Sequence, residues 1–250
     1  MSDRSQPGDH RGPRTLSHAA HELRTPISVV LGYLRMLLND KASPLTDHQR
    51  NLLQQVHKST SRLNALTNEM SDLARLESGR TTFNRCAVDL GALLEEVIRA
   101  IPPVPDREVN IILDNQATGA MVEGDPTRLR DAFHAILFAL RRELVTSTVL
   151  LVRVRRVTHE RAPVLWIAIA GNDRIDAVDS APLSQLGTFN EWRGGCGLMP
   201  AIAGRIIVEH GGRVSSPSDN AESGAVASDP NAVALSEPPR ASAVIVLPER

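Results

Sequence analysis

The residues with the clearest capacity for chemistry lie together in Ser17-His18-Ala19-Ala20-His21-Glu22-Leu23-Arg24-Thr25-Pro26. Near physiological pH the neutral imidazole of His21 is a nucleophile, and the neighbouring carboxylate of Glu22 can accept the other ring proton and fix the tautomer. That pairing suits a phosphoryl acceptor. Thr25 lies one helical turn further on, on the same face as His21. The element that positions them is written in the apolar spacing. Leu16, Ala20, Leu23, Ile27, Val30, Leu34 and Leu37 recur at alternating steps of four and three, the seam of a helix packed in a bundle. His21 falls one residue beyond Ala20 and should lie on the flank, facing water. A solitary histidine there would be only a solvated side chain, and His18, one turn earlier, reads as one.

His21-Glu22-Leu23-Arg24-Thr25-Pro26 resembles the H-box of the two-component sensor histidine kinases. The resemblance implies that His21 is phosphorylated and passes its phosphoryl group to a receiver-domain aspartate. It further implies that Glu22 orients the imidazole and that Thr25 positions water to dephosphorylate a bound receiver. Arg24, with the first-helix face, would form part of the receiver-docking surface.

The first helix should run from about Thr15 to Asn39, with Pro26 removing one backbone hydrogen bond inside it. A second helix should start at the cap Thr46-Asp47 and stop at Ser78-Gly79. Its seam reads Leu52, Val56, Leu63, Leu66, Met70 and Leu73, with polar Gln49 and Ser59 in phase. Two such helices have little mutual surface, so an antiparallel hairpin that dimerises into a four-helix bundle is expected. The alternative is a hairpin packed on the rest of its own chain. The ending Leu73-Ala74-Arg75-Leu76-Glu77-Ser78-Gly79 resembles the end of the same family's dimerisation and phosphotransfer domain, which is expected over residues 15–80. Residues 1–14, polar and rich in proline and glycine, are expected to be disordered.

Composition sets outer limits. The 250-residue chain has a formal net charge of −1, which implies neither a nucleic acid nor an anionic membrane as partner. Cys86 and Cys196 make no disulfide framework, so a reduced, cytoplasmic protein is the default. No apolar run approaches a membrane span and the polar N-terminus has no signal-peptide core, so no membrane sensor is expected on the chain.

From Val88 the pattern changes to short strands and helices. Helices are expected at Leu90–Ile101, Asp125–Leu144 (Asp125 the cap, Pro126 first in the helix) and Ala201–His210. Strands are expected at Val109–Leu113, Val149–Val157, Val164–Ala170 and Ala243–Leu247. Residues 81–250 therefore read as an α/β sandwich in an α+β chain, with a flexible insertion at 215–241. Gly124-Asp125-Pro126-Thr127-Arg128-Leu129-Arg130 and Ile206 to Val214 resemble the ATP-binding (Bergerat, GHKL-type) domain of the same kinases.

The groups that should touch nucleotide are largely missing. The two asparagines that the resemblance assigns to Mg²⁺ binding fall on Ala135 and Ala139, and His134 is out of phase and a poor ligand for a hard cation. The Asp-x-Gly-x-Gly turn is replaced by Gly171-Asn172-Asp173-Arg174-Ile175, with Asp173 two residues from the expected acid. Arg142 matches a basic residue that can meet a phosphate, and Gly195-Cys196-Gly197-Leu198 resembles the phosphate-side Gly-x-Gly-Leu. Met199 and Pro200 follow where another glycine belongs, and little remains of a nucleotide lid between Phe189 and Gly194. The domain thus reads as a vestigial ATP site, with ATP and Mg²⁺ as cofactors only if the divergent site works, and no metal ligands assigned. Three functions follow. They are a pseudo-kinase that relays phosphate through His21 between a receiver and an upstream kinase or receiver, an active soluble histidine kinase, and a non-enzymatic adaptor.

Overall fold

In the computed structural model the described residues are 11–40, 43–103, 108–159, 161–191, 195–217 and 241–250. The chain divides into two compact units, residues 1–81 and 82–250.

The first unit is a helical hairpin, α1 (Arg11–Asn39) and α2 (Asp47–Glu77). Arg24 of α1 reaches Asn68 and Ser71 late in α2, and Arg50 early in α2 reaches the Leu38 carbonyl, so the helices run antiparallel. Thr46 opens α2 with a capping box. Its hydroxyl accepts from the Gln49 amide, and the Gln49 side chain accepts from the Thr46 amide. At the other end Gly79 takes φ +64, the Gly79 amide donates to Leu76 and the Arg80 amide to Arg75, the two bonds of a Schellman turn.

Two expectations need correcting here. Residues 11–14 are helical, not disordered, because Pro13 sits in the first turn of α1, where no intrahelical amide bond is lost; residues 1–10 lie outside the described residues. The apolar seam is also not a single buried line. Ala20, Leu31 and Leu34 of α1 and Thr60, Thr67, Ala74 and Leu76 of α2 are buried. Leu23, Val30 and Leu37 remain 43–48% exposed, and Leu52, Val56 and Leu63 on α2 are exposed too. Thr60 and Thr67 can be buried because each hydroxyl donates to the carbonyl four residues back, at 2.8 Å.

The second unit begins with β1 (Cys86–Asp89), α3 (Leu90–Ala100), β2 (Asn110–Asn115) and β3 (Met121–Gly124). It continues with α4 (Pro126–Glu143), β4 (Val149–His159), β5 (Ala162–Gly171) and the short α5 (Ile175–Asp179). It closes with β6 (Leu186–Thr188), α6 (Met199–Glu209), β7 (Arg213–Pro217) and β8 (Ala243–Pro248). The main sheet has the order β2-β4-β5-β8-β7-β6; β2 and β4 are parallel and the other pairs antiparallel. β1 and β3 form a separate antiparallel pair.

One face of the sheet presents Leu150, Val152, Val154, Leu165, Ile167 and Ile169, all at most 1% exposed, to the layer of α3, α4 and α6. The other face carries Trp166, Ala168 and Ala170, covered by Ile175 and Val178 of α5. Arg153 ties α5 down, pairing with Asp176 at 2.6 Å and with Asp114 of β2 at 2.7 Å, while Arg155 pairs with Asp179 at 2.8 Å. At the ends of the expected insertion at 215–241 the structure differs: residues 215–217 belong to β7, where Ser215 pairs with both Val244 and Thr188, and Ala241 is buried. Residues 218–240 lie outside the described residues.

Candidate functional site

In the first unit His21, Glu22 and Thr25 are all exposed on α1, as the seam geometry predicts. Arg24 is not a free surface cation. Its guanidinium donates to Asn68 Oδ1 at 3.2 Å and Ser71 Oγ at 3.1 Å, which braces α1 against α2. Beside His21 opens a depression of about 560 Å³, between the beginning of α1 and the end of α2. Arg14, Ser17, His18 and His21 line it from α1, and Ala74, Arg75, Ser78 and Arg80 from the opposite end. Arg14, Arg75 and Arg80 were not singled out in the sequence. They come together only through the antiparallel register and the Schellman turn, which leaves Arg80 beside Arg75, and no spacing rule within one helix reports that.

The nucleotide-facing positions of the second unit form a different picture. Asp125 is the N-cap of α4, accepting from the amides of Thr127 and Arg128 at 3.0 and 3.1 Å and from that of Asn84 at 2.9 Å. The helix it starts carries Ala135 and Ala139 inward, 4% and 0% exposed. A metal ligand has to reach solvent-accessible phosphate oxygens. These two positions hold methyl groups in the core. His134 stacks on Phe138, ring centroids 6.1 Å apart, and the Arg142 guanidinium lies 5.8 Å from the same ring on the other side of the sequence, so Arg142 is engaged along its own helix.

At the end of β5, a side chain at Gly171 would begin 2.5 Å from Asp173 Oδ1 and 3.1 Å from Leu144 Cδ1. The Asp173 carboxylate therefore folds back over the place where the family's acid would start. Gly195 and Gly197 both take positive φ (58° and 71°), turns that a side chain would strain. They lead into α6, whose second helical residue is Pro200, so one of the amides that would face an anion at that helix end carries no proton. The two positions that the resemblance assigns to Mg²⁺ are thus buried alanines, and the helix after the glycine turn has one amide donor fewer at its start. The expected remnant of a lid falls partly on residues 192–194, outside the described residues.

Among the described residues no group of histidine, cysteine and carboxylate side chains is arranged to hold a metal ion, and no helix is long and apolar enough to cross a membrane.

Comparison with known proteins agrees with this geometry at the level of class. Residues 14–79 match the His Kinase A (phospho-acceptor) domain family. The sensor protein GacS of Pseudomonas syringae pv. syringae is 26% identical over 219 residues, which are 83% of this chain and 24% of that protein. The circadian input-output histidine kinase CikA of Synechococcus elongatus is 28% identical over 208 residues, 80% of this chain and 27% of that protein. Among solved structures, full-length ShkA in complex with AMPPNP superimposes with a TM-score of 0.64 at 20% identity, covering 95% of this chain and 46% of that one. The Acinetobacter baumannii histidine kinase AdeS gives 0.51 at 18% identity, covering 91% and 95%. The hairpin matches the phospho-acceptor domain family and is followed by a mixed-sheet α/β domain, and these similarities together support a place among the two-component sensor histidine kinases. It spans about a quarter of the length of the curated relatives it matches.

Proposed function

We propose that this protein is the phosphotransfer member of a two-component relay, with His21 as its phosphoryl carrier and without ATP-dependent self-phosphorylation. The observation that carries the reading is the contrast between the two units. His21 stands exposed on a phospho-acceptor hairpin, while both positions that should hold Mg²⁺ are alanines closed into the core.

The unprotonated nitrogen of His21 attacks the phosphorus of an aspartyl phosphate on a receiver domain. A P–N bond forms as the P–O bond to the aspartate breaks, and the free carboxylate leaves. The second ring nitrogen keeps its proton, and Glu22 accepts the hydrogen bond from it and steadies the positive imidazolium. The reverse step delivers the group to another receiver. Thr25, one turn along the same exposed face, orients water for hydrolysis of a receiver's phosphate. An upstream kinase is the other donor class. The exposed row Leu23, Val30, Leu37, Leu52, Val56 and Leu63 supplies the face through which two hairpins join as a homodimer.

One observation favours a second reading, an active kinase. Asp173 Oδ1 sits where the side chain of residue 171 would begin, and so stands near the place of the adenine-pairing acid. Incubation with γ-labelled ATP and Mg²⁺, with His21→Ala as control, separates the two. Acid-labile label in the parent and none in the variant would establish the kinase. No label, followed by transfer from a phosphorylated receiver to the parent but not to His21→Ala, is the outcome expected here. If neither donor labels His21, the protein is an adaptor.

A further inference from the structure

We infer that the basin beside His21 is an oxyanion pocket that seats the phosphoryl group His21 carries. The occupant's identity rests on the phosphotransfer reading; the pocket's preference for a phosphate-type dianion does not. Its lining carries the guanidiniums of Arg14, Arg75 and Arg80 beside the imidazoles of His18 and His21, and among the described residues no carboxylate lines it. The chain as a whole is almost balanced, with 28 lysine and arginine residues against 29 aspartates and glutamates. Three guanidiniums without an acid in one basin are therefore a local departure from an otherwise mixed surface.

The backbone around the basin is compatible with an anion. The end of a helix ordinarily presents carbonyl oxygens, which repel a phosphate. Here the Ala74, Arg75 and Leu76 carbonyls accept from the amides of Ser78, Arg80 and Gly79, and the Ser78 hydroxyl donates to Arg75 as well. The same turn leaves Arg80 beside Arg75 at the mouth. Guanidinium groups match the geometry of phosphoryl oxygens through paired N–H donors. A phosphoryl group bonded to His21 begins inside this basin, because the imidazole is part of the wall. Held there, the group has its charge balanced by the guanidiniums until a receiver displaces the arginines. His18 becomes a neighbour of the phosphoryl group rather than a second acceptor.

The test reads the imidazole resonances of the full chain by NMR while inorganic phosphate replaces chloride at constant ionic strength. His18 and His21 should shift saturably, whereas His48 and His57, outside the basin, should not. Arg75→Gln with Arg80→Gln should weaken that response roughly tenfold, and Arg75→Lys with Arg80→Lys should restore part of it. Equal responses in the parent and the glutamine pair, or shifts at all four histidines, would overturn the pocket. The occupant is tested on protein phosphorylated at His21. Free phosphate should no longer move His18; movement with undiminished affinity would show that the basin takes free phosphate and would overturn the assignment to the carried group. Failure of every receiver to label His21, with phosphate still binding, removes the phosphotransfer reading and leaves the pocket. Labelled His21 with resonances indifferent to phosphate does the reverse.

Discussion

The backbone amide of Asp125 donates to Nε2 of His210 at 2.9 Å, across 85 residues of sequence. The other ring nitrogen, Nδ1, faces the Ile206 carbonyl at 2.7 Å and, with Nε2 accepting from the amide, is the one that donates. One buried ring thus ties the start of α4 to the end of α6, with Phe83 packed edge-on against it at 5.3 Å. His210→Phe keeps an aromatic ring but leaves the Asp125 amide without its acceptor. The variant should lose about 1–3 kcal/mol of stability in the second unit, read as a lower urea midpoint with an unchanged slope. An unchanged midpoint would show the bond to be dispensable.

Asp125 itself makes the second unit sensitive to acid. Burial is the largest single influence and would raise its pKa. The amide hydrogen bonds from Arg128, Asn84 and Thr127, with the charge of Arg128, outweigh it and hold the carboxyl below its ordinary 3.8. A depressed carboxylate contributes stability that is complete above the unfolded value and is lost as pH falls through the folded one. The melting-temperature gap between the parent and Asp125→Asn should therefore hold steady down to about pH 4 and shrink as the pH falls further. A gap of constant size would mean that the cap acts by shape alone.

The nucleotide positions can be challenged by restoration. Ala139 is fully buried, so Ala139→Asn would place an amide in an apolar layer and cost about 1–3 kcal/mol unless it finds partners. Thermal unfolding with and without Mg·ATP should show a destabilised protein that gains nothing from nucleotide. Stabilisation of the variant by Mg·ATP would show that the site needed only the missing ligand.

The exposed row on the hairpin predicts association. Val30→Glu does not disturb the interior of a single hairpin, where Ala20, Leu31 and Leu34 pack, but would bury a carboxylate in a dimer at a cost of about 3 kcal/mol or more. Sedimentation should find the parent dimeric and the variant monomeric with its helicity kept. A monomeric parent at micromolar concentration would rule out the four-helix bundle.

The parts of this architecture with local signals were legible in the residues alone. Thr46 with Gln49, Gly79, and Asp125 with Pro126 are local helix-end signals, and α2 begins and ends, and α4 begins, beside them. The exposed flank position of His21 followed from its phase against Ala20. What stayed hidden depends on pairing across long separations. β1 and β3 are four residues each and exist through Cys86–Gly124 register, and α5 is five residues with no period to read. The apolar seam was found, but a period cannot say which half faces the partner helix and which half faces outward. The arginines beside His21 belong to the same class, being brought together by a turn and a register.

The clamp on α5 gives the two faces of the sheet different responses to electrolyte. A five-residue helix has no independent stability, and this one is held by Arg153 and Arg155 on partly accessible carboxylates as much as by Ile175 and Val178. At about 1 M salt the Debye length falls to roughly 3 Å, which weakens such pairs while leaving the aliphatic layer under α3, α4 and α6 untouched. Trp166 lies beneath the clamp with the Arg155 guanidinium 5.3 Å from its ring. In a Trp192→Phe background its indole emission becomes a gauge of that one face, able to register α5 lifting away before the domain melts.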